Sequence, residues 1–308
     1  MKPKVLFLVG PTAIGKTEVS IALAKKLNAE IISCDSMQVY KGMDILTSKP
    51  DLETRKKIRH HLIDVVTAQK EFDVSQYRRL AIEKIDQILK KGKLPLFVGG
   101  TGLYMSIVVD GIFEAKTEDP VTRKKLLVEA EKFGSRSLHE RLKKADPVAA
   151  NKIHPNDTKR IVRALEVYEV TGFPISQLQK TRKGLADTYE TRIFCLTMPR
   201  EDLNKKIDER VEKMFKAGLV KEIKKLLRKK LSRTARFAIG IQEIKGYLEG
   251  SYDLETAKEL MKRNTRSYAK RQMTWFRKDK RIDWVEIGPQ ESAVSAVKKI
   301  MEKWNAHF

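Results

Sequence analysis

The sequence predicts an α/β fold in which a core built on a parallel sheet is interrupted by a helical insertion. Strand and helix patterns alternate along the first third of the chain, which is typical of parallel strands joined by helices. Strand patterns then disappear between residues 115 and 187, where the sequence is charged and helical, and they return at 192–196. We therefore expect a core of residues 1–114 and 188–308, with residues 115–187 inserted into it.

The first strand, predicted at 5–9, leads into a loop with the spacing G-x-x-x-x-G-K-[ST], and a helix pattern follows at 17–27. This strand–loop–helix setting is that of a P-loop, so the core is predicted to be P-loop NTPase-like. The glycines let several backbone N–H groups face one phosphate cluster, the lysine adds charge and the threonine hydroxyl suits Mg²⁺. A glycine-rich turn without a ligand is the alternative. The predicted phosphate-binding residues, with Thr17 also the metal ligand, are Gly10, Pro11, Thr12, Ala13, Ile14, Gly15, Lys16 and Thr17.

The second strand, predicted at 30–33, ends in a polar segment at the same sheet edge as the P-loop. Asp35 either holds Mg²⁺ or takes a proton from an incoming nucleophile, and the residues alone leave both roles open. Ser36 and Gln38 offer hydrogen bonds of the kind that read the edge of a base. An ordinary surface turn is the alternative.

A helix predicted at 78–90 and a strand at 94–98 lead into a second glycine-rich loop, Gly99-Gly100-Thr101. Thr101 is expected to direct its hydroxyl toward the same phosphates as the P-loop. Kinases and ATPases of this fold usually end this strand with an aspartate for Mg²⁺ and water, and glycines stand here instead. ATP hydrolysis is therefore disfavoured, whereas phosphate binding is not.

Within the insertion, Asp157 is predicted to cap a helix whose first turns carry a basic face. That face consists of Lys159, Arg160 and Arg163, and Arg123 lies earlier in the insertion. Two arginines three residues apart suit a nucleic-acid backbone. A solvated basic face is the alternative.

After the insertion, a long amphipathic helix is predicted at 202–230 and an edge strand at 284–287. Between them, residues 263–277 interleave arginines with aromatic residues. Because arginine binds phosphate and aromatic rings stack on bases, this segment is a further candidate for contact with an anion or with RNA. Core packing is the alternative for Trp275 and Phe276.

The 308 residues include 63 Lys and Arg against 40 Asp and Glu, which gives a net charge of +23. Such an excess favours a polyanionic partner, of which nucleic acid is the common one. No apolar stretch reaches membrane-spanning length and the N-terminus lacks a signal-peptide pattern, so a cytoplasmic location is expected. Cys34 and Cys195 are expected to be reduced core residues, and the adjacent histidines 60–61 do not have metal-ligand spacing.

Taken together, these motifs resemble the tRNA dimethylallyltransferase family, also called tRNA isopentenyltransferases, over nearly the whole chain. Two departures are Leu46, where the family usually has glycine, and Phe237, where some relatives have an active-site arginine; Arg236 is one residue away. The resemblance rests on G-P-T-A-x-G-K-T at 10–17, D-S-x-Q-x-Y at 35–40, H-H-L-I-D at 60–64, G-G-T-G-L-Y at 99–104, N-D-x-x-R-x-x-R-A-L-E at 156–166, A-I-G at 238–240 and Y-A-K-R-Q-x-T-W-F-R at 268–277.

The resemblance implies that the P-loop holds the diphosphate of dimethylallyl diphosphate rather than ATP, with Mg²⁺ as cofactor. It implies transfer of the dimethylallyl group to N6 of the adenine 3′-adjacent to the anticodon, in tRNAs that read codons beginning with U. The residue matching Asp35 is the family's general base, Lys16 and Thr101 complete the implied catalytic set, and the insertion is implied to clamp the anticodon stem-loop. The implied tRNA contacts are Asp35, Ser36, Met37, Gln38, Thr101, Arg123, Lys159, Arg160, Ile161, Val162 and Arg163.

Three other interpretations stay open from the sequence. An adenylate isopentenyltransferase shares the donor chemistry but has no need of a basic insertion. A P-loop kinase or NTPase would release or transfer phosphate without a prenyl donor. An RNA-binding module would carry a P-loop without using it. The protein is expected to be a monomer.

Overall fold

A computed structural model describes residues 2–113 and 118–305 of the chain. The chain divides into two compact units, one formed by Met1–Val109 with Thr188–Phe308 and the other by Asp110–Asp187. The predicted boundary between residues 114 and 115 lies outside the described residues, as do the last three residues of the predicted core.

The larger unit alternates strands and helices before the insertion and is mainly helical after it. In chain order, the described elements before the insertion are β1 (Lys4–Val9), α1 (Lys16–Lys26), β2 (Ala29–Cys34), β3 (Tyr40–Lys41), α2 (Leu52–Lys57), β4 (His60–His61), β5 (Val66–Thr67), α3 (Val74–Leu89), β6 (Leu94–Gly99) and α4 (Gly102–Val109). The smaller unit contains α5 (Pro120–Phe133), α6 (Ser135–Ala145), α7 (Pro147–Lys152), α8 (Thr158–Thr171), α9 (Ile175–Leu178) and two short 3-10 turns (Gln179–Thr181 and Leu185–Asp187). The elements that follow are β7 (Glu190–Thr197), α10 (Arg200–Lys216), α11 (Leu219–Leu227), a 3-10 turn (Ala235–Phe237), α12 (Ile241–Leu248), α13 (Leu254–Phe276), β8 (Ile282–Glu286) and α14 (Ala293–Asn305).

Within these described ranges, six strands form one fully parallel sheet in the order β4-β2-β6-β1-β7-β8, which confirms the predicted parallel sheet. The predicted edge strand is β8, which pairs with β7 alone in this order. The central strand β1 pairs with β6 along one edge and with β7 along the other, so it lies in the middle of the sheet. An unbroken apolar run is what such a strand requires, and Val5–Val9 is at most 1% exposed.

The strand register brings the carboxyl ends of four strands side by side. Val9 of β1 pairs with Gly99 of β6 and with Cys195 of β7, and Gly99 also pairs with Cys34 of β2. The loops that follow β1, β2 and β6 therefore begin at one edge of the sheet, where ligands bind in open parallel sheets.

Helices cover both faces of the sheet. On one face, Leu23 of α1 and Ile300 of α14 are fully buried against Leu6 and Leu8 of β1. The opposite face carries the stacked rings of Phe7 and Phe97, whose centroids are 4.6 Å apart. This two-sided core holds the sheet edge in place below the loops that leave it.

The amphipathic stretch predicted as a single helix at 202–230 is in fact two helices, α10 and α11. The break lies at Gly218, whose φ of +98° is a left-handed conformation that ends one helix and starts the next. The apolar stripe continues through the break, because Val211 and Met214 of α10 and Ile223 of α11 are all buried. Periodicity alone therefore missed a turn that the glycine marks.

Helix α13 carries the basic and aromatic segment of residues 263–277. Phe276 is fully buried, so core packing accounts for it, whereas Trp275 is 38% exposed. The Trp275 ring lies against Gly102, where a Cβ would collide with it. No helix in the described parts of the chain combines the length and apolarity that crossing a bilayer requires.

The smaller unit has an apolar centre of its own. Leu126, Leu142, Ile161 and Leu165 of α5, α6 and α8 are at most 1% exposed and belong to one cluster. The predicted cap is confirmed, because the Asp157 side chain accepts a hydrogen bond from the backbone N–H of Arg160 at 3.2 Å.

A single carboxylate fastens the loop between β3 and α2. Glu222 of α11 accepts hydrogen bonds from three successive backbone N–H groups, those of Asp44 (3.0 Å), Ile45 (2.9 Å) and Leu46 (2.8 Å). Leu46, one of the two departures from the family pattern, packs onto Gly240, where a Cβ would come within 2.6 Å of Leu46 Cδ1.

We expect Glu222→Ala to loosen this loop. Hydrogen bonds to a charged group contribute about 1.5–3 kcal/mol, so losing the carboxylate should speed hydrogen exchange of the Ile45 and Leu46 amides by roughly 30-fold. Hydrogen exchange followed by mass spectrometry measures this. Lys224→Ala, an exposed change on the same helix, should leave these amides unchanged; equal protection in both variants would contradict the prediction.

Candidate active site

The P-loop leaves β1 and enters α1 through a strained turn. Gly15 has φ of +95° and Ala13 has φ of +66°, and α1 begins at Lys16. Ile14 is 1% exposed and anchors the loop in the core. Successive N–H groups in such a turn, together with a helix N-terminus, form a cradle for phosphate groups.

The Lys16 side chain lies inside the P-loop. Its Nζ donates hydrogen bonds to the backbone carbonyls of Gly10 (2.9 Å) and Pro11 (2.7 Å). Burial, followed by the charge of Arg210, lowers the pKa of this amine to about 8, and the charge of Asp35 partly opposes the shift. A bound anion would relieve the unfavourable cost of this buried charge.

Asp35 follows β2 and forms a tight turn with the residues after it. Its Oδ1 accepts hydrogen bonds from the backbone N–H groups of Met37 (2.8 Å) and Gln38 (3.4 Å). The Gln38 amide accepts from the Ser33 hydroxyl (2.9 Å) and donates to the Thr47 carbonyl (3.3 Å). Asp35 is half-buried, so its carboxylate is held in a fixed place at the sheet edge.

Thr101 joins the end of β6 to the segment after β2. Its backbone N–H donates to the Cys34 carbonyl (3.2 Å), and its hydroxyl accepts from the backbone N–H of Ser36 (3.0 Å). The Tyr268 side chain of α13 hydrogen-bonds to Thr101 as well. Burial and the nearby Asp35 charge raise the pKa of Tyr268, so its hydroxyl stays neutral.

The structure adds Arg210, a site residue that the sequence argument did not identify. Burial lowers the pKa of this arginine, whereas the charges of Asp35 and Glu18 raise it, which places Arg210 beside the P-loop cluster. The signal was present in the sequence: position 210 lies three residues after Ile207 and four before Met214, on the apolar face of α10. An arginine on an otherwise apolar helix face needs an anionic partner.

The sheet edge therefore unites all three predicted catalytic residues. Lys16, Asp35 and Thr101 come together with Arg210 and Tyr268, although these residues are spread over most of the chain. Both cysteines lie beneath them as buried free thiols, as predicted, and burial raises the pKa of each to about 12. The thiols are therefore inert at neutral pH.

The predicted RNA-contacting arginines of the smaller unit are organised by one buried acid. Glu166 is fully buried; its Oε2 accepts from Arg123 Nη2 at 2.7 Å and from Arg163 Nη1 at 2.9 Å. Arg123 Nε also donates to Glu166 Oε2, at 3.1 Å, so this one carboxylate holds both guanidinium groups in place. Lys159 and Arg160 are exposed on the same helix.

Two predicted tRNA contacts need correction at the level of their side chains. Ile161 and Val162 are 0% and 3% exposed and pack in the centre of the smaller unit, because they lie on the inner face of α8. Their side chains are therefore not available to a ligand, and a contact with tRNA at these two positions would have to be made by the backbone.

Comparison with known proteins shows which family the chain belongs to. A family model described as IPP transferase matches residues 38–279. The chain belongs to the IPP transferase family. A tRNA dimethylallyltransferase from Carboxydothermus hydrogenoformans is 47% identical over 305 residues, covering 98% of this chain and 96% of that protein. The Bacillus subtilis protein of the same name is 45% identical over 290 residues, covering 94% and 92%.

Solved structures agree with the family assignment. A full-length tRNA isopentenylpyrophosphate transferase from Bacillus halodurans matches with a TM-score of 0.72 and 38% identity, covering 99% of both chains. A eukaryotic dimethylallyltransferase described as acting on tRNA matches with a TM-score of 0.79 and 33% identity, covering 92% of this chain and 74% of that chain. The fold class predicted from the sequence, a P-loop NTPase-like core with a helical insertion, is confirmed.

The family assignment makes the second departure easier to interpret. Arg236 lies over the ring of Phe237, its neighbour, at 5.4 Å, and Phe237 is 65% exposed. The arginine whose charge acts on Lys16 is Arg210, from a different helix. In this IPP transferase family member, the positive charge that acts on the P-loop lysine comes from α10.

We expect anion binding at the P-loop to depend on pH through Lys16. The pKa of about 8 means that, above pH 8, an anion must draw a proton onto the amine as it binds, so affinity should fall by up to about tenfold per pH unit. Calorimetry with inorganic diphosphate between pH 7 and 9.5 measures this.

Diphosphate also titrates in this pH range, so its effect must be separated from that of Lys16. Comparison with Lys16→Met does this, because diphosphate titrates equally in both experiments. The ratio of wild-type to Lys16→Met affinity should fall toward one as the pH rises, whereas Lys25→Met, an exposed change on α1, should follow the wild type. A ratio that stays constant over this range would show that Lys16 does not titrate there.

Proposed function

We propose that this protein is a tRNA dimethylallyltransferase, which transfers a dimethylallyl group from dimethylallyl diphosphate to N6 of an adenine in tRNA. The adenine is the one 3′-adjacent to the anticodon, in tRNAs that read codons beginning with U. The observation that carries the proposal is the meeting of a phosphate cradle, two half-buried cations and Asp35 at one sheet edge in a member of the IPP transferase family. Relatives 42–47% identical over nearly the whole chain carry this name.

The donor side is supported by charge. Lys16 and Arg210 are both desolvated, and the charge of Arg210 contributes to the lowered pKa of Lys16. A diphosphate in the P-loop would compensate both charges. As the bond between C1 of the dimethylallyl group and the diphosphate oxygen breaks, the oxygen keeps the electron pair, and these cations stabilise the growing negative charge.

The acceptor side is supported by Asp35. The adenine amino group forms the new bond from N6 to C1 and must lose one proton, which the Asp35 carboxylate accepts. Its turn with Met37 and Gln38 fixes the carboxylate at the sheet edge. A base must leave its stack to reach such a site.

The oxygen ligands available at the P-loop fit Mg²⁺ as the cofactor. Thr17, on the first turn of α1, offers a hydroxyl next to the phosphate cradle, and Mg²⁺ typically combines one or two protein oxygens with substrate phosphates and water. When bound, the ion would offset diphosphate charge. Among the described residues, no group of three or more acidic, histidine or cysteine side chains forms a metal cage.

The smaller unit is proposed to bind the anticodon stem-loop. Support comes from the pair of arginines held on Glu166 and from exposed Lys159 and Arg160, which together form a basic face suited to RNA phosphates. The monomeric state and the cytoplasmic location stay predictions.

Transfer of a labelled dimethylallyl group to an acceptor tests the proposed function. Incubation with labelled dimethylallyl diphosphate and Mg²⁺ should place the label in tRNA and not in AMP. Label in AMP would instead identify an adenylate isopentenyltransferase. Phosphate release from ATP without a prenyl donor would identify a kinase or NTPase.

We expect Asp35→Asn to reduce turnover by about 10²–10⁴ with tRNA affinity kept, because a general base contributes roughly that factor. The asparagine keeps the oxygen that accepts from Met37, so the turn is preserved. Single-turnover transfer and filter binding of tRNA measure the two quantities.

The matched control is Asp86→Asn, an exposed position on α3 where Asp86 accepts a hydrogen bond from the Tyr189 hydroxyl. It makes the same charge change and should leave transfer unaffected. Near-wild-type turnover in Asp35→Asn would remove Asp35 from the mechanism.

A further inference from the structure

One buried amide connects the P-loop to the loop that carries Thr101. Gln272 of α13 is 6% exposed. Its Oε1 accepts from the backbone N–H of Thr12 at 2.9 Å, and its Nε2 donates to the carbonyl of Gly100 at 2.8 Å. The two partners lie 260 and 172 residues away in sequence, at the ends of different strands.

The partners determine which side chain can stand at this position. A backbone N–H only donates and a carbonyl only accepts, so the bridging group must offer one acceptor and one donor at the same distance. The carboxamide of glutamine does so, and its orientation follows from its partners. A carboxylate would leave the Gly100 carbonyl facing a second acceptor.

The neighbouring backbone is shaped to admit this amide. A Cβ on Gly100 would collide with Gln272 Nε2 and would lie 3.2 Å from the carbonyl oxygen of Gly10. Glycine at position 100 therefore allows α13, β6 and the P-loop to approach one another. The second glycine of the loop is explained by packing as well as by access for a ligand.

The same face of α13 makes a second connection one turn earlier. Tyr268, four residues before Gln272, hydrogen-bonds to Thr101, the residue after Gly100. Helix α13 thus holds both the P-loop and the Thr101 loop, the first through Thr12 and the second through Gly100 and Thr101.

We propose that Gln272 is a positioning residue that fixes the separation between the P-loop and the Thr101 loop. This inference rests on the proposed function in one respect: the two loops then hold the prenyl donor and face the acceptor adenine. The Thr12 N–H is committed to Gln272, so the phosphate cradle uses the N–H groups that follow it. The proposed role of Gln272 is exercised through its bonds to Thr12 and Gly100, and no step of the transfer is assigned to the amide itself.

Two substitutions separate positioning from general stability. Gln272→Met keeps the length of the side chain and removes both hydrogen bonds. We expect the rate of transfer to fall by about 10²-fold, the cost of a small misplacement of reacting groups, with tRNA affinity within about twofold of wild type. The ratio to wild type should be independent of pH.

Gln272→Glu supplies a readout that loss of packing does not give. The protonated acid can accept and donate as the amide does, whereas the carboxylate cannot donate. Because burial at this position raises the pKa of the introduced acid, transfer relative to wild type should rise as the pH is lowered from 9 to 5 and approach wild type where the acid is protonated. Gln87→Glu, an exposed change on α3, should show a ratio of one throughout.

The outcomes are decisive in either direction. A wild-type rate in Gln272→Met, or a ratio for Gln272→Glu that does not change with pH, would overturn the proposal. If Gln272→Met does not fold, the pH ratio of Gln272→Glu decides alone. If the wild-type protein transfers no label to tRNA, the proposed function fails, and inorganic diphosphate binding then tests the bridge: affinity should still fall about tenfold in Gln272→Met.

Discussion

The parallel alignment of β1, β2 and β6 is the constraint on which the core depends. Parallel strands in register end at the same edge, so each strand delivers its following loop to one place. The P-loop, the Asp35 segment and the Thr101 loop are short and have little freedom once the strands are paired. The hydrophobic core packs the strands and not the loops themselves. By fixing the strands, it nevertheless sets the distances between the polar groups on the three loops.

The electrostatics of the edge follow from that geometry. The strands bring Lys16 and Asp35 to the same edge, and α10 adds Arg210 from the side. The carboxylate of Glu18 also acts on Arg210, and the desolvation of both cations is unfavourable without an anionic ligand. The edge is thus suited to an anion, and in the smaller unit Arg123 and Arg163 share the buried Glu166.

The sequence was most informative where function depends on local spacing. The P-loop, the Asp35 turn and the Asp157 cap each lie within a few residues, so their geometry could be predicted from one segment. Arg210 was missed because its partners are distant in sequence and its helix face is mostly apolar. Gln272 was noted only as part of a basic segment, because its two hydrogen-bond partners follow different strands.

Ile161 and Val162 entered the predicted tRNA contacts as members of a motif, although helical periodicity places them on the inner face of α8. The prediction of a single helix at 202–230 was wrong at Gly218. The left-handed backbone of this residue ends α10, although the apolar stripe continues into α11.

The two buried thiols have a practical consequence for experiments on this molecule. Since the pKa of Cys34 and of Cys195 is raised to about 12, neither forms appreciable thiolate under the mild conditions used for maleimide chemistry. A cysteine introduced at an exposed position would then be the preferred target of a dye or spin label, without prior removal of the native pair. Paired probes, one on each compact unit, would thereby report how the distance between the units responds when RNA is added.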